Sequence, residues 1–302
     1  MAKKIDLSII ILNYNTKDLL RDCLKSVKKA EKDSFRYQII VVDNASTDSS
    51  AEMVKENFLW VELVVNKKNV GFAAGNNRGI KKSTGRYVLF LNPDTLVQPD
   101  TFKIMLNFME KHPRVGAATC RVELPSGELD YSCHRGFPTP WSALAHFSGL
   151  AKLFRRMNFF SGYTLTHLPL NKTHEIDSGC GAFLIVRREA GEEISWWDED
   201  YYWYGEDLDF CYRLKKKGWR IMFVPKTKII HYKGAASGLK KDTKEITTAT
   251  KETKIKAVKA STGVMRVFFR KHYQDRYPRI IYWLVMLGID LLEKIRLLKH
   301  SL

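Results

Sequence analysis

The sequence predicts an α/β protein in which a mostly parallel sheet, flanked by helices, occupies the first 120 residues. Short apolar runs rich in isoleucine, valine and leucine alternate there with helix-like segments, as expected for strands that are buried on both faces. The segments between the runs are long enough to be crossover helices, so neighbouring strands should be parallel. Three of the runs end in polar residues, and in open parallel sheets ligands bind beyond these carboxyl ends.

The predicted strands and helices of this first part alternate along the chain. Strands are predicted at residues 7–12, 38–42, 61–65, 87–91 and 115–120. Apolar stripes and capping residues indicate the helices between them; Ser46, Thr47 or Asp48 can cap the second helix, and Pro99 favours the start of the fourth. The helices cover residues 17–29, a stretch around residues 53 and 54, residues 71–82 and residues 99–112.

After residue 120 the pattern loosens before it becomes regular again. Four prolines interrupt residues 123–173, which are expected to form loops and short helices. Order returns at 177–187, an aromatic run follows at 196–204, and residues 206–217 are predicted to be a helix. A strand at 219–224 is expected to end before Pro225, with His231 just after it. The lysine-rich residues 240–260 indicate a mobile loop or a solvated helix, and two helices split by Pro278 are expected beyond Thr262.

Composition narrows the class of protein. A chain of 302 residues with 45% hydrophobic residues can bury a substantial core and is not mainly disordered. The net charge of +17 predicts an anionic partner, which can be a nucleic acid, a phosphate-bearing substrate or an acidic membrane surface. The five cysteines include no C-x-x-C pair, which argues against a disulfide framework and favours a reducing cytosol. The first apolar run is too short for a secretory signal, so a cytoplasmic protein is expected.

Candidate carboxylates stand at the ends of two predicted strands. Asp94, in the Asn-Pro-Asp sequence after the fourth strand, can bind a hard divalent cation that bridges phosphates, although the same sequence is ordinary turn chemistry. Asp43 can accept a hydrogen bond from a ring nitrogen of a base, and helix capping by the residues that follow leaves it unexplained. Residues 69–79 have glycines four apart, which is not the G-x-G-x-x-G fingerprint of NAD sites.

Two further candidates lie in the second half of the chain. Asp207 stands beside Glu206 at a predicted helix start, directly after the aromatic run. The helix dipole by itself favours acids there, but these residues can also form a pocket in which rings stack on a sugar and Asp207 removes a proton from an acceptor. His231 fits either a metal ligand or an ordinary loop histidine.

Seven motifs occur in order and together resemble the inverting family-two glycosyltransferases of GT-A fold, in their rhamnosyltransferase-like branch. The resemblance spans residues 6–236 and implies a mostly parallel, Rossmann-like sheet that binds a nucleotide-diphospho-sugar. The motifs lie at residues 8–15, 41–48, 69–79, 91–94, 178–183, 204–209 and 218–231.

The resemblance implies roles for individual residues. It places Asp94 and His231 on a divalent metal, Mg²⁺ or Mn²⁺, and makes Asp207 the catalytic base with Glu206 beside it. Asn92 stands where the family's D-x-D motif has its first carboxylate, which leaves one charged ligand and predicts weaker metal binding. The implied donor site consists of Asn13, Tyr14, Asn15, Asp43, Asn44, Asn77, Arg78, Asn92 and Asp94, and the acceptor site of Gly179, Cys180, Gly181, Trp203 and Tyr204.

The implied reaction moves a sugar, with rhamnose favoured by the branch, from a dTDP- or UDP-linked donor to a glycan or lipid-linked acceptor with inversion, in cell-surface polysaccharide biosynthesis. A nucleic-acid-binding protein is an alternative suggested by the net charge, but the basic residues concentrate near the end of the sequence, without a helix-turn-helix, RNP or zinc pattern. No nucleic-acid partner is therefore expected. A non-catalytic, membrane-associated scaffold that retains the fold is the other alternative.

The expected organisation is a catalytic domain at residues 1–236 followed by a lysine-rich segment and basic amphipathic helices at 237–302. Within the catalytic domain, residues 1–120 would bind the nucleotide-sugar and residues 121–236 the acceptor. The apolar stretch 280–292 is too short to span a bilayer, and its basic flanks suit a helix lying on an anionic membrane. The alternative is a helix packed on the catalytic domain or in a homodimer. Residues 240–260 could also close over the donor as a lid.

Overall fold

A computed structural model describes residues 4–31, 34–233 and 251–301, and its centre is one mixed sheet with helices packed around it. The strands run in the order β3-β2-β1-β4-β8-β6-β9-β5, with β7 paired to β9. They are β1 Leu7–Asn13, β2 Tyr37–Asp43, β3 Glu62–Val65, β4 Tyr87–Leu91, β5 Thr95–Val97, β6 Val115–Glu123, β7 His174–Glu175, β8 Phe183–Arg187 and β9 Arg220–His231. The predicted α/β fold is confirmed.

The helices cover both faces of this sheet and continue beyond it. A short 3₁₀ turn at Tyr131–Cys133 follows β6. The helices are α1 Lys17–Ala30, α2 Ser50–Asn57, α3 Phe72–Ile80, α4 Thr101–Lys111, α5 Pro140–Phe147, α6 Leu150–Leu153, α7 Asn158–Ser161, α8 Arg188–Glu193, α9 Glu206–Lys216, α10 Lys251–His272 and α11 Arg279–Ser301.

The first part of the sheet is parallel, as its buried apolar strands predict. β1 pairs in parallel with both β2 and β4, and β2 with β3. The β1–β2 register sets Asn13 opposite Asp43. The polar residues that end these two strands therefore meet at one edge of the sheet.

The second part of the sheet departs from the sequence prediction in direction and in length. β8 lies antiparallel between β4 and β6, an order that an apolar run does not reveal because it reads the same in both directions. The strand expected to end before Pro225 continues to His231, because a register shift between Cys120 and Arg121 on β6 accommodates the proline in an irregularity. His231 is thus the last residue of β9 and pairs with Thr95 at the start of β5.

The C-terminal helices α10 and α11 pack against each other and against the part of the chain that precedes them. Tyr201 is fully buried in a second apolar cluster with Phe268 and Tyr273 of α10 and its end. Asp209 of α9 accepts a hydrogen bond from His272 Nε2 at 2.7 Å, which ties the two helices together. Residues 240–250 of the lysine-rich stretch lie outside the described residues. Residues 251–260, which also belong to the expected lid, form the start of α10, so this helix begins earlier than the expected start beyond Thr262. Among those described, no helix has both the length and the apolar character that crossing a bilayer requires.

Candidate active site

Asp94 and His231 face each other at the end of the sheet. Asp94 directly precedes β5, and the antiparallel pairing of β5 with β9 brings the end of β9 alongside it. His231 Nε2 lies 3.3 Å from Asp94 Oδ1, and the backbone N–H of Tyr232 donates to the Asp94 carbonyl at 2.8 Å. Both side chains are buried. Asp94 and His231 therefore form a pair, although they are 137 positions apart in the sequence.

A second carboxylate, Asp130, holds the other face of the His231 ring. Asp130 Oδ2 lies 3.1 Å from His231 Nδ1, and Lys233 Nζ donates to Asp130 Oδ1. Burial by itself would raise the pKa of Asp130, but His231 and Lys233 hold it well below its usual range. Burial likewise opposes a charged His231, yet Asp94 and Asp130 raise the pKa of its imidazole to about 9. The site therefore favours positive charge between the two carboxylates.

The side chains of Asp94 and His231 are suitable ligands for a hard divalent cation that a substrate also coordinates. Mg²⁺ and Mn²⁺ prefer oxygen ligands, accept imidazole, and commonly keep places for phosphate oxygens and water. Asp94 and His231 would supply two protein ligands, and Asp130 would orient the ring from behind, as outer carboxylates do in metal sites. Within the described ranges, no cluster of three or more His, Cys, Asp or Glu side chains has metal-binding geometry. Phosphate oxygens of a nucleotide-sugar and water molecules would complete the coordination.

Asp207 lies in the first turn of α9 and forms a salt bridge with Arg135. Asp207 Oδ2 accepts from Arg135 Nη2 at 2.7 Å, and its Oδ1 accepts from the backbone N–H of Leu208 at 2.8 Å. Arg135 also donates to the Gly179 carbonyl at 3.1 Å. Burial would lower the pKa of Arg135, but Asp207 raises it above its ordinary value. Asp207 is therefore positioned as a carboxylate at the helix N-terminus.

Glu206, beside Asp207, is in a different environment. Its side chain is buried, and its Oε2 has no hydrogen-bond partner among the described residues. Burial, with a further contribution from the charge of Asp207, raises the pKa of Glu206 well above its ordinary value. Burial thus favours the neutral form of Glu206, and enzymes use environments of this kind to give neighbouring carboxyl groups different roles.

Cys180 lies within electrostatic reach of both Asp130, behind His231, and Asp207 of α9. Burial raises the pKa of the Cys180 thiol to about 11, and Asp130 and Asp207 both add to the increase. Cys180 is flanked by Gly179 and Gly181, and a Cβ added at Gly181 would lie 2.7 Å from the Phe72 ring. This small-residue loop therefore holds a neutral thiol rather than a nucleophile.

The carboxyl ends of β1 and β2, where the resemblance places the nucleotide-sugar, form a hydrogen-bonded group. Asn13 Nδ2 donates to Asp43 Oδ2 at 2.9 Å, and the backbone N–H of Ser46 donates to Asp43 Oδ1 at 2.9 Å. Asn15 Oδ1 accepts from the backbone N–H of Thr47 at 2.7 Å. Asp43 is almost fully buried and both of its oxygens already have partners, whereas Tyr14 is 44% exposed.

Asn44, Asn77 and Arg78 also have protein partners. Asn44 Nδ2 donates to Asn69 Oδ1 at 2.8 Å, and Arg78 Nη1 donates to Asn66. Asn77 Nδ2 donates to the Trp197 carbonyl at 2.9 Å. These contacts hold α3 in place beside the strand ends. The donor role of all three residues remains a prediction from the sequence.

The aromatic run after residue 200 is held against the start of α3. The backbone N–H of Phe72 donates to the Tyr202 carbonyl at 2.9 Å, and Gly71 has a φ of +86°. A Cβ on Gly71 would lie 2.6 Å from the Tyr202 carbonyl oxygen, so this close approach requires glycine. Trp203 and Tyr204 stack with ring centroids 5.0 Å apart. Two flat side chains are thus presented immediately before the acids of α9.

Sequence reasoning missed Asp130 and Arg135. Both lie in the proline-interrupted region whose pattern was too irregular to interpret. Asp130 has an ordinary local explanation, since its Oδ1 accepts from the backbone N–H of Ser132 and caps the 3₁₀ turn. Its contact with His231 spans 101 positions, and that of Arg135 with Asp207 spans 72. Nothing local in the sequence points to either.

The family of this chain follows from its similarity to known proteins. The model of the glycosyl transferase family 2 matches residues 8–194. The chain belongs to this family. Among similar proteins, an N-acetylglucosaminyl-diphospho-decaprenol L-rhamnosyltransferase of Mycobacterium tuberculosis is 26% identical over 77% of this chain and 78% of its own length. The rhamnosyltransferase WbbL of Escherichia coli is 26% identical over 74% and 82%, respectively. The expected resemblance to rhamnosyltransferases is confirmed.

Solved structures support the fold of this family 2 glycosyltransferase. The mannosyltransferase PcManGT of Pyrobaculum calidifontis, in complex with GDP-Man and Mn²⁺, superimposes with a TM-score of 0.56 at 16% identity, covering 98% of this chain and 87% of that one. TarS 1-349 of S. aureus, in complex with UDP, has a TM-score of 0.53 at 16% identity, with 91% and 73% covered. At this identity the likeness establishes the GT-A fold.

Proposed function

We propose that this glycosyltransferase moves a rhamnosyl group from a dTDP- or UDP-linked donor to a glycan or lipid-linked acceptor, with inversion and with the help of Mg²⁺ or Mn²⁺. The observation that carries the proposal is the buried Asp94–His231 pair, 3.3 Å apart and backed by Asp130. A pair of this kind fits a cation that neutralises the diphosphate as it leaves. The rhamnosyltransferases named above support the choice of sugar.

Asp207 would act as the base. Its carboxylate would take the proton from an acceptor hydroxyl, whose oxygen forms the new bond to the anomeric carbon while the bond from that carbon to the diphosphate breaks. The salt bridge from Arg135, at 2.7 Å, orients the Asp207 side chain. Glu206, kept neutral by burial, adds no second negative charge beside the incoming hydroxyl. A single displacement of this kind inverts the configuration and needs no enzyme nucleophile.

The relatives also support a place for the reaction. One is named for an N-acetylglucosaminyl-diphospho-decaprenol acceptor, and a poly-beta-1,6-N-acetyl-D-glucosamine synthase of Staphylococcus aureus, 25% identical, spans 72% of this chain and 48% of its own length. We therefore extend the proposal to surface polysaccharide biosynthesis, at the cytoplasmic face of a membrane. The catalytic part would comprise residues 1–236, with a donor half at 1–120 and an acceptor half at 121–236.

The test is release of nucleotide diphosphate from a panel of nucleotide sugars, with and without Mn²⁺ or Mg²⁺. One donor should be hydrolysed in a metal-dependent way, and Asp94→Asn should abolish this dependence. Asp207→Asn should retain donor binding but lower transfer to an added acceptor by at least about 100-fold, the usual contribution of a general base. Asp22→Asn is the matched control, because Asp22 is an exposed carboxylate on α1.

The product of transfer distinguishes the finer parts of the proposal. An anomeric configuration opposite to that of the donor, read by NMR, is the expected result. Retention of configuration would refute the single displacement. If no nucleotide sugar or nucleoside diphosphate binds in calorimetry, the transferase proposal fails and the non-catalytic scaffold takes its place.

A further inference from the structure

An apolar groove of about 760 Å³ opens between α5 and the C-terminal helices. One wall is formed by Trp141 and Leu144 of α5, and the other by Phe268 of α10 and Ile295 of α11. The groove reaches Gly205 and Leu208, which flank the acid pair of α9. Its volume is in the range of roughly 300–1,000 Å³ that is typical of small-molecule sites. An apolar ligand in this groove would end beside the proposed base.

Positive charge lies beside the groove at Tyr163. Tyr163 lines the groove, and two arginines lie within electrostatic reach of this tyrosine: Arg135, which pairs with Asp207, and Arg296 of α11. Arg135 Nε is buried without a hydrogen-bond partner among the described residues. Arg296 donates to Ser261 Oγ at 3.2 Å and forms no salt bridge in the described part of the chain. Burial lowers the pKa of Arg296 below its usual value, as expected for a partly buried cation that lacks a counter-charge.

An exposed apolar stripe on α11 shares Leu284, Leu291 and Ile295 with the groove. The stripe recurs every three or four residues along the helix, and its side chains are between 55% and 68% exposed. An exposed basic side chain, Lys294, lies on the same helix. The stripe consists of Ile280, Leu284, Leu287, Leu291, Ile295 and Leu298.

We propose that this groove binds the isoprenoid chain of a lipid-diphosphate-linked acceptor, with the diphosphate at Arg296 and the sugar at Asp207. The inference rests on the proposed function and assigns the acceptor's lipid part to residues of this chain. An apolar groove with positive charge beside it matches an anionic head on a hydrocarbon tail. A longer tail would leave the groove along the stripe into an anionic bilayer.

A substitution that fills the groove tests whether it binds the isoprenoid chain. Gly288 lines the groove, and an added Cβ there meets nothing within 4 Å, so Gly288→Phe should fold and occlude the space. Gly263→Phe is the matched control: Gly263 lies on α10, its Cβ position is equally open, and it does not line the groove. Calorimetry with geranylgeranyl diphosphate, below its micellar concentration, should show binding to the wild type and to Gly263→Phe, and at least tenfold weaker binding to Gly288→Phe.

The role of Arg296 is tested by charge removal. Arg296→Gln should weaken binding of geranylgeranyl diphosphate about tenfold, as expected for one lost charge-assisted hydrogen bond, and should leave binding of geranylgeraniol unchanged. Arg296→Lys should recover part of the loss. Lys294→Gln removes a charge from the exposed side of the same helix and should have little effect. If Arg296→Gln and Lys294→Gln bind geranylgeranyl diphosphate equally well, the assignment of the diphosphate to Arg296 is overturned.

Titration of a nucleoside diphosphate into the wild type separates this inference from the proposed function. Nucleotide binding without any binding of geranylgeranyl diphosphate overturns the groove proposal and leaves the transferase intact. Lipid binding that is sensitive to Gly288→Phe, without nucleotide binding, supports the groove and refutes the transferase. A dimer in analytical ultracentrifugation that dissociates in Gly288→Phe, with no lipid binding, shows that a second copy covers the stripe and overturns the inference.

Discussion

Asp130→Asn tests whether the carboxylate behind His231 controls metal binding. Asp130 is 3% exposed, and its two oxygens contact His231 Nδ1 and Lys233 Nζ. Asparagine keeps the shape and one acceptor oxygen but removes the negative charge that orients and polarises the ring. Outer carboxylates of this kind contribute about 10–100-fold to metal affinity, or roughly 1.4–2.8 kcal/mol.

The Asp130→Asn variant should still fold, with a lower free energy of unfolding. Asp130→Asn leaves the Lys233 ammonium without its counter-charge, and the loss of a charged hydrogen bond at a buried position costs about 1–3 kcal/mol. Lys233 is 29% exposed and water can solvate it in part, so the lower end of this range is expected. Thermal unfolding checks this cost and sets the temperature at which metal binding is compared.

The assay is a Mn²⁺ titration, followed by electron paramagnetic resonance and by donor hydrolysis in parallel. The Mn²⁺ concentration at half-saturation should rise about 10–100-fold in Asp130→Asn, with hydrolysis at saturating Mn²⁺ close to that of the wild type. Glu123→Gln is the control, because Glu123 is also a paired carboxylate near the end of β6, with Arg121 and Lys228 as its partners. Identical titration curves for Asp130→Asn and the wild type would refute the idea that Asp130 orients His231.

Two further predictions concern stability. Burial raises the pKa of Glu206, so the folded state holds a proton that the unfolded state loses above its own pKa, and stability should fall as pH rises. Glu206→Gln should flatten this fall in melting temperatures between about pH 5 and pH 8, and an unchanged slope would contradict it. Asp209 is fully buried between Arg213 (2.6 Å) and His272 (2.7 Å), which hold its pKa below the usual value against the effect of burial. Asp209→Asn should therefore destabilise the fold in urea at pH 7 by about 3 kcal/mol, less at acid pH; a cost that does not shrink as pH falls would contradict this.

The edge of the sheet that carries the candidate site was predictable from the sequence. A parallel sheet brings the carboxyl ends of its strands to one edge, so the polar residues that end the predicted strands mark this edge. Asn13 and Asp43 lie opposite each other there in the β1–β2 register. The start of α9 at Glu206 followed from local signals as well, because acids are favoured at a helix N-terminus. Both inferences depend on neighbours along the chain or on a repeating pattern.

Other parts of the candidate site depended on long-range pairing. The continuation of β9 past Pro225 required a shift in its register with β6, and only this continuation brings His231 beside Asp94. The contacts of Asp130 and Arg135 join segments with no shared pattern. The α5–α11 groove has the same origin, because an apolar stripe on a helix does not specify its partner.

The sequence by itself determined the α/β class, the parallel first half of the sheet and the family, because periodicity, strand-end chemistry and ordered motifs are local properties of the chain. The tertiary structure decided the antiparallel place of β8, the pairing of His231 with both Asp94 and Asp130, and the salt bridge between Arg135 and Asp207. The physical reason is that burial and charge pairing are set by residues far apart in sequence, whose approach depends on the packing of the whole sheet.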